Sequence, residues 1–371
     1  MTPHPRIAAA WEIPHEPRRI EHPVPSSEFE RIRWLQRLTS RLGSPPRSGR
    51  TLLGIGDDAA LWSPPAGTAV VLTTDSQVEG IHFRREWLPP RQIGARAVAT
   101  AASDIAAMAA IPGGVLLSFT LPRETSDSFF RALYRGALGE AKRQGLAVLG
   151  GNLSSGPLTL TVAVVGSVHP RRAVLRRGAR PGDGIYVTGW PGRSRLGLAM
   201  VKRGVRGMLV GHRKAVSACV RAFAEPRPRI REGQFLASHT RLHAMLDLSD
   251  GLAQDLGRIL EIGSTPRAAA EDGVGAVLDG RGLADLLGEN GCGALARRLG
   301  LDPLAIVLEG GEDYELLFTA PAGGPERIAS RFRRRFGIPL TRIGTIEGRP
   351  GLHLEGQTKR IAAAGYDHFR A

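Results

Sequence analysis

Val70-Val71-Leu72-Thr73-Thr74-Asp75 is a run of aliphatic residues that passes into two threonines and an acid. This composition predicts a short buried strand whose end presents polar oxygens. Downstream, residues 91–110 are Ala-rich and predicted helical; they include Ser103-Asp104, the acid being placed near a helix start. Val115 to Leu121 reads as a strand, 126–144 as a helix, and Ala147-Val148-Leu149 as a strand running into Gly150-Gly151-Asn152. Leu158 to Val168, with Thr alternating against apolar residues, reads as a long strand. Strands interleaved with helices predict an α/β domain.

Upstream, residues 1–25 set Pro, His, Arg and Glu around a short Ile7–Ala10 patch, the pattern of a mobile tail. Ser27-Glu28-Phe29-Glu30 is a capping box, in which the serine hydroxyl and the glutamate satisfy exposed amides at a helix start. Phe29, Ile32, Leu35 and Leu38 follow as one apolar stripe. His169 to Gly184 is polar and basic, which places a domain boundary there and divides the chain into 26–168 and 169–371. Beyond it, Gly184–Thr188, Ala244–Leu248, Tyr314–Thr319 and Thr341–Glu347 read as strands. Residues 194–203, Ser249–Glu261 and Glu326–Phe336 read as helices, and Glu225-Pro226-Arg227-Pro228-Arg229 as an irregular connection.

The chain has 371 residues and a net charge of +15, carried mainly by arginine. Those arginines are scattered rather than gathered in a stripe, which argues against nucleic acid as the partner. Only Cys219 and Cys292 occur; far apart in sequence, they build neither a disulfide framework nor a zinc site and read as small buried apolar residues. No stretch resembles a signal peptide or a membrane helix, so a cytoplasmic, unanchored protein is expected.

Acids gather where strands end. Asp57-Asp58 follow Gly54-Ile55-Gly56, Asp75 follows the opening strand, and Asp247 and Asp250 flank Ser249. Any one of them can cap a helix or close a turn. Together they suit a hard cation: oxygen ligands without cysteine or clustered histidine favour Mg²⁺ or Mn²⁺, and a cation between carboxylates relieves their repulsion. Gly150-Gly151 brings backbone amides close to a strand end, where a polyphosphate can approach. No Walker pattern, dinucleotide fingerprint or Gly-x-Ser-x-Gly elbow is present.

The segments Gly54–Leu61, Thr73–Asp75 through Gly80-Ile81-His82-Phe83, Ser103–Met108, Asp247–Leu252, Gly310–Leu316 and Gly365-Tyr366-Asp367-His368-Phe369 occur in one order. In that set and order the sequence resembles thiamine-monophosphate kinases, within a superfamily that includes aminoimidazole ribonucleotide synthetase. The resemblance covers residue 27 to the end. It implies two domains: an N-terminal α/β domain whose sheet forms a homodimer, and a C-terminal α+β domain with a mostly antiparallel sheet, the active site lying in the cleft between them. The implied reaction is phosphorylation of thiamine monophosphate by ATP, direct and in line, with several Mg²⁺ ions. Position by position it implies Asp58, Thr73, Thr74, Asp75, Asp104, Asp247 and Asp250 as metal ligands. Gly151, Arg176 and Ser249 fall at ATP contacts, and His82, Glu312 and Tyr366 at thiamine-phosphate contacts. Asn152 stands where the family often has an acid, and is carried as a metal and ATP ligand through its amide oxygen. Ala101 stands where the family often has asparagine.

Two other readings stay open from sequence: a superfamily enzyme with a different acceptor, and a non-catalytic relative. The absence of any cysteine before Cys219 weighs against selenophosphate synthetase, and the Ala371 ending against the hydrogenase maturation factor.

Overall fold

The computed structural model describes residues 27–39, 49–204, 211–263, 273–357, 360–361 and 365–366; the expected tail, 1–25, and the Asp367-His368-Phe369 ending lie outside them. Helix α1 (Glu28–Thr39) opens with the expected capping box: Ser27 Oγ donates to Glu30 Oε2 at 2.7 Å. Its stripe is only partly as read. Leu35 and Leu38, with Trp34, pack on the core, whereas Phe29 is 74% exposed. Strands β1 (Arg50–Leu53) and β2 (Leu61–Ser63) then pair as a two-stranded ribbon around the Asp57-Asp58 turn.

Strand β3 (Ala69–Val78) is longer than the aliphatic run suggested, so Thr73, Thr74 and Asp75 sit mid-strand. The full ladder with β6 (Thr159–Val168), from Ala69↔Val168 to Val78↔Thr159, holds it extended. Strand β4 (Ile111–Leu121) pairs antiparallel with β6 and parallel with β5 (Ala147–Ser155), giving a four-stranded sheet in the order β3-β6-β4-β5. Gly150-Gly151-Asn152 therefore lies within β5 rather than after it. Helices α2 (Pro90–Ala107) and α3 (Asp127–Gln144) are crossed at two glycines. A Cβ on Gly94 would stand 2.0 Å from Leu133 O, and one on Gly136 1.9 Å from Arg91 O, so only bare backbone permits the approach. Asp104 is in the last turn of α2, not near a helix start.

The second sheet has six strands. They are β7 (Asp183–Thr188), β8 (Ala244–Asp247), β9 (Gly275–Leu278), β10 (Leu316–Pro321), β11 (Leu340–Glu347) and β12 (Gly351–Leu354), in the order β12-β9-β11-β7-β10-β8. All neighbours are antiparallel except β12 and β9. Alternation sends Ile185, Val187 and Leu317 to one core and Tyr186, Leu316 and Phe318 to the other. The first core is closed by α4 (Arg193–Arg203), α5 (Arg213–Ala224), α7 (Leu252–Gly263), α8 (Gly280–Asp285), α9 (Cys292–Arg298) and α10 (Pro303–Glu309). The second is continuous with the α2–α3 layer and takes in α6 (Ile230–His239) and α11 (Gly324–Phe336). The two sheets thus share one apolar seam, and α2 crosses it beside β8. Cys219 and Cys292 are buried as expected, but the fold brings their sulfurs to 3.5 Å as free thiols, a contact their sequence separation hid.

Candidate active site

The seam gathers acids. On β3, Thr73, Asp75 and Gln77 stand on the face toward α2, while Thr74 points the opposite way with Leu72 and is exposed. Of the predicted oxygen donors on this strand, the Thr74 hydroxyl is therefore turned away from Thr73 and Asp75. Thr73 Oγ1 donates to Asp104 Oδ2, tying strand to helix. Asp75 Oδ1 accepts from Ser76 N at 2.7 Å, yet burial pushes its carboxyl above the ordinary carboxylate range, with Asp104 adding repulsion. Asp247, at the end of β8, is 5% exposed and pushed up to about 7, first by burial and then by Asp104. Asp104 itself occupies the C-terminal turn of α2, the negative end of the helix dipole. Three carboxylates thus lie within electrostatic reach in partly desolvated positions, and the Asp104 charge raises the cost of ionising both Asp75 and Asp247.

Beside this cluster the Ser249-Asp250-Gly251 turn hangs on one residue. Asp255 Oδ2 accepts from the amides of Ser249 and Asp250 at 3.0 Å and of Gly251 at 3.2 Å. Asp255 is wholly buried, and burial raises its carboxyl to about 6 despite Arg258, which donates to its Oδ1 at 2.9 Å. Arg258 also pairs with Asp250. The helix expected from Ser249 begins instead at Leu252, because the three preceding residues form this carboxylate-bound turn. Tyr366 is pinned to it: its amide donates to Asp250 O at 3.0 Å and its carbonyl accepts from Gln254 Nε2 at 3.1 Å, with the residue half exposed.

Glu312 reaches the same turn from the segment that leads into β10. Its amide donates to Ser249 O at 2.7 Å, and Tyr314 N donates to Leu248 O at 2.8 Å. Both Glu312 and Tyr314 hold positive φ, 66° and 52°, an uncommon backbone for side-chain-bearing residues and one that marks a constrained segment. The next acid, Asp313, accepts from Gly192 N at 2.6 Å and Ser194 N at 3.0 Å, capping α4. Glu315 is buried in a fork with Arg229 Nε at 2.7 Å and takes the Thr188 hydroxyl at 2.7 Å.

His82 lies on the turn after β3, its Nδ1 accepting from Val78 N at 3.0 Å, which leaves Nε2 as the protonated ring nitrogen of the neutral form. Arg176 is exposed, but its charge acts on Asp247, and Leu175 O accepts from Met245 N at 2.9 Å to hold the segment against β8. Gly151 has φ 156°, and a Cβ there would fall 1.9 Å from Leu117 O. Asp58 and Asn152 are exposed and share no described hydrogen bond with the acidic cluster. The fold therefore brings together Thr73, Asp75, Asp104, Asp247, Arg176, Ser249, Asp250, Glu312 and Tyr366. Among the described residues, no three His, Cys, Asp or Glu side chains close tightly around one point. An open acidic set of this kind suits Mg²⁺, which keeps waters and borrows phosphate oxygens from its substrate.

Sequence reading missed Arg96, Asp255, Arg258, Asp313 and Arg229. Asp255 had a local signal, an acid in the first turn of a helix behind a Ser-Asp-Gly turn. Arg96, inside an Ala-rich helix, had none.

Residues 56–168 match the family described as AIR synthase related protein, N-terminal domain. Over most of its length the chain is similar to thiamine-monophosphate kinases. It is 35% identical to that of Escherichia coli K12 over 322 residues, 85% of this chain and 92% of the other. The chain belongs to the thiamine-monophosphate kinase family. The family member from Rhodopirellula baltica is 32% identical over 85% of this chain and 88% of its own. The crystal structure of the Stenotrophomonas maltophilia K279a kinase superposes with a TM-score of 0.72 at 31% identity, covering 89% of this chain and 97% of that one. AaThiL, solved in complex with AMPPCP and TMP, superposes at 0.67 with 26% identity over 92% and 97%. The hydrogenase maturation protein HypE of E. coli, at 18% identity and a TM-score of 0.67 over 91% and 98%, shares the fold. The α/β plus α+β reading thus holds for a kinase-family chain.

Proposed function

We propose that this chain transfers the terminal phosphate of ATP to thiamine monophosphate, giving ADP and thiamine diphosphate. One observation carries the reading. The residues that the fold gathers at the seam are those the family resemblance singles out, in a chain 35% identical to a thiamine-monophosphate kinase across 85% of its length. The AaThiL complex with AMPPCP and TMP supports the pairing of an adenine nucleotide with the thiamine ester.

Thr73, Asp75, Asp104 and Asp247 would hold Mg²⁺, with Asp250 adjoining and Asp58 and Asn152 supplying further oxygens from exposed segments. The donor set fits: it is all oxygen, and the raised carboxyls of Asp75 and Asp247 and the helix-end position of Asp104 are costs that a cation reverses. Bound there, Mg²⁺ supplies neutralisation of phosphate charge. Arg176 donates to phosphate oxygens in a fork. Ser249 and the bare backbone at Gly151 receive ATP. His82 and Glu312 contact the thiamine ester, and the half-exposed Tyr366 offers its ring as a stacking surface. No side chain is needed as a strong base; the residues orient two phosphates for in-line displacement and offset their repulsion.

We further propose a homodimer through the outer face of the four-stranded sheet, where Val70 and Leu72 are 47% and 75% exposed and Leu116, across β6 on β4, is exposed as well. The division at 168/169 and a cytoplasmic location complete the reading; among the described residues no helix is long and apolar enough to cross a membrane. The test is direct. Purified protein with ATP, Mg²⁺ and thiamine monophosphate is expected to yield equal amounts of thiamine diphosphate and ADP by chromatography, abolished by EDTA. ADP without thiamine diphosphate, or no product, overturns it in favour of another acceptor or a non-catalytic relative.

A further inference from the structure

A single buried guanidinium joins the acidic strand to the substrate side of the site. Arg96, in the middle of α2, is 1% exposed. Its Nε donates to Gln77 Oε1 at 3.2 Å, its Nη1 to Phe223 O, and its Nη2 to Glu312 Oε1 at 2.5 Å. The Phe223 ring covers the guanidinium at 4.9 Å. These acceptors come from three separate places: β3 two residues beyond Asp75, the end of α5, and the Glu312 turn. A cation taken out of water needs its partners in place, and here only one of them is charged. Glu312 is correspondingly fixed. Its backbone is held at φ 66° and bonded to Ser249 O, and its carboxylate is anchored by Arg96 at Oε1 while remaining partly exposed.

We propose that Arg96 is a positioning residue for thiamine monophosphate: it orients Glu312 toward the substrate and partly neutralises it, so that Glu312 presents an aligned hydrogen-bond acceptor rather than a mobile anion. The inference rests on the proposed kinase activity and on Glu312 as a substrate contact. Because Gln77 shares the β3 face with Asp75, the same guanidinium also sets the distance between the metal-binding strand and the Glu312 turn.

Steady-state kinetics on the full chain test it, with KM measured separately for ATP and for thiamine monophosphate. Turnover by the unaltered protein comes first; if that is missing, the kinase reading fails, and Arg96 is not at issue. Given turnover, Arg96→Met is expected to raise KM for thiamine monophosphate about tenfold or more with KM for ATP within about twofold. Arg96→Lys is expected to recover part of the loss, since an ammonium reaches one acceptor but not three. Glu312→Gln keeps the shape, leaves Arg96 its other two acceptors, and is expected to raise the same KM. The Arg96→Lys/Glu312→Gln double variant is expected to be no worse than the more affected single, because both changes break one contact. Should Arg96→Met fail to fold, the lysine and glutamine variants decide alone. Unchanged KM for thiamine monophosphate in folded Arg96→Lys and Glu312→Gln, or equal shifts in both KM values, overturns the proposal.

Discussion

The Thr73 hydroxyl donates to the Asp104 carboxylate across the gap between β3 and the last turn of α2. That bond satisfies one lone pair of an acid that otherwise faces Asp75, Asp247 and the negative end of its own helix. Asp104 is thus poorly placed for stability and well placed for a cation.

Asp104→Asn keeps the shape and removes the charge. Turnover with Mg²⁺ is expected to fall by about a hundredfold or more, the scale of losing a group that stabilises transferred phosphate charge. In EDTA the variant is expected to melt no lower than the unaltered protein, since repulsion on Asp247 is relieved. Assay and thermal unfolding on one preparation check both; retained turnover sinks the metal role.

Asp255 predicts a different failure. Truncation to alanine orphans three amides and leaves Arg258 without its buried partner, a cost of about 2–4 kcal/mol by the scale of unsatisfied buried groups. Ser249 and Asp250 ride on the same amides, so KM for ATP is expected to rise in whatever fraction stays folded. Chemical unfolding with parallel ATP titrations measures the two effects, and a variant with unaltered stability removes the turn from consideration.

What was legible in the sequence followed the range of the interactions. The capping box of α1 and the alternation along β6 depend on near neighbours, and the sequence read them well. The length of β3 did not: Thr73, Thr74 and Asp75 look like a strand end, but the ladder with β6 carries them through. The acids stand out in the sequence by type and order, whereas Asp104's place at the helix end, and Thr74's orientation, needed the backbone. Arg96 is buried and Arg229 largely so because distant carboxylates receive them, and no local pattern announces that. Short elements such as α8, α9 and β9 carry too few residues for a period to show.

Gly151 and Gly150 make a paired prediction on β5. At Gly151 a methyl would meet Leu117 O at 1.9 Å and the backbone holds φ 156°, so Gly151→Ala is expected to cost about 3 kcal/mol or more and to splay β4 from β5. At Gly150 the nearest atom is Leu116 Cδ2 at 3.3 Å, the end of a half-exposed side chain that can turn aside. Gly150→Ala is expected to stay within about 1 kcal/mol of the parent. Equal losses in urea unfolding contradict the close approach at Gly151.

Asp313 sets the sign of a pH dependence. Its carboxyl is enclosed by protein while accepting two amides at the start of α4, and burial raises it to about 8 from an ordinary 3.8. Between those values the folded chain keeps a proton that the unfolded chain releases. The contribution is therefore full below about pH 4 and declines as pH rises toward 8, at up to about 1.4 kcal/mol per pH unit for one group. Asp247 and Asp255, raised to about 7 and about 6, add slope of the same sign at lower pH. Melting temperatures in EDTA are expected to fall from pH 5 to pH 8, and Asp313→Asn, which carries no proton to lose, is expected to flatten the upper part of that fall. A variant whose stability declines as steeply as the parent's between pH 7 and pH 8 assigns the slope to other groups.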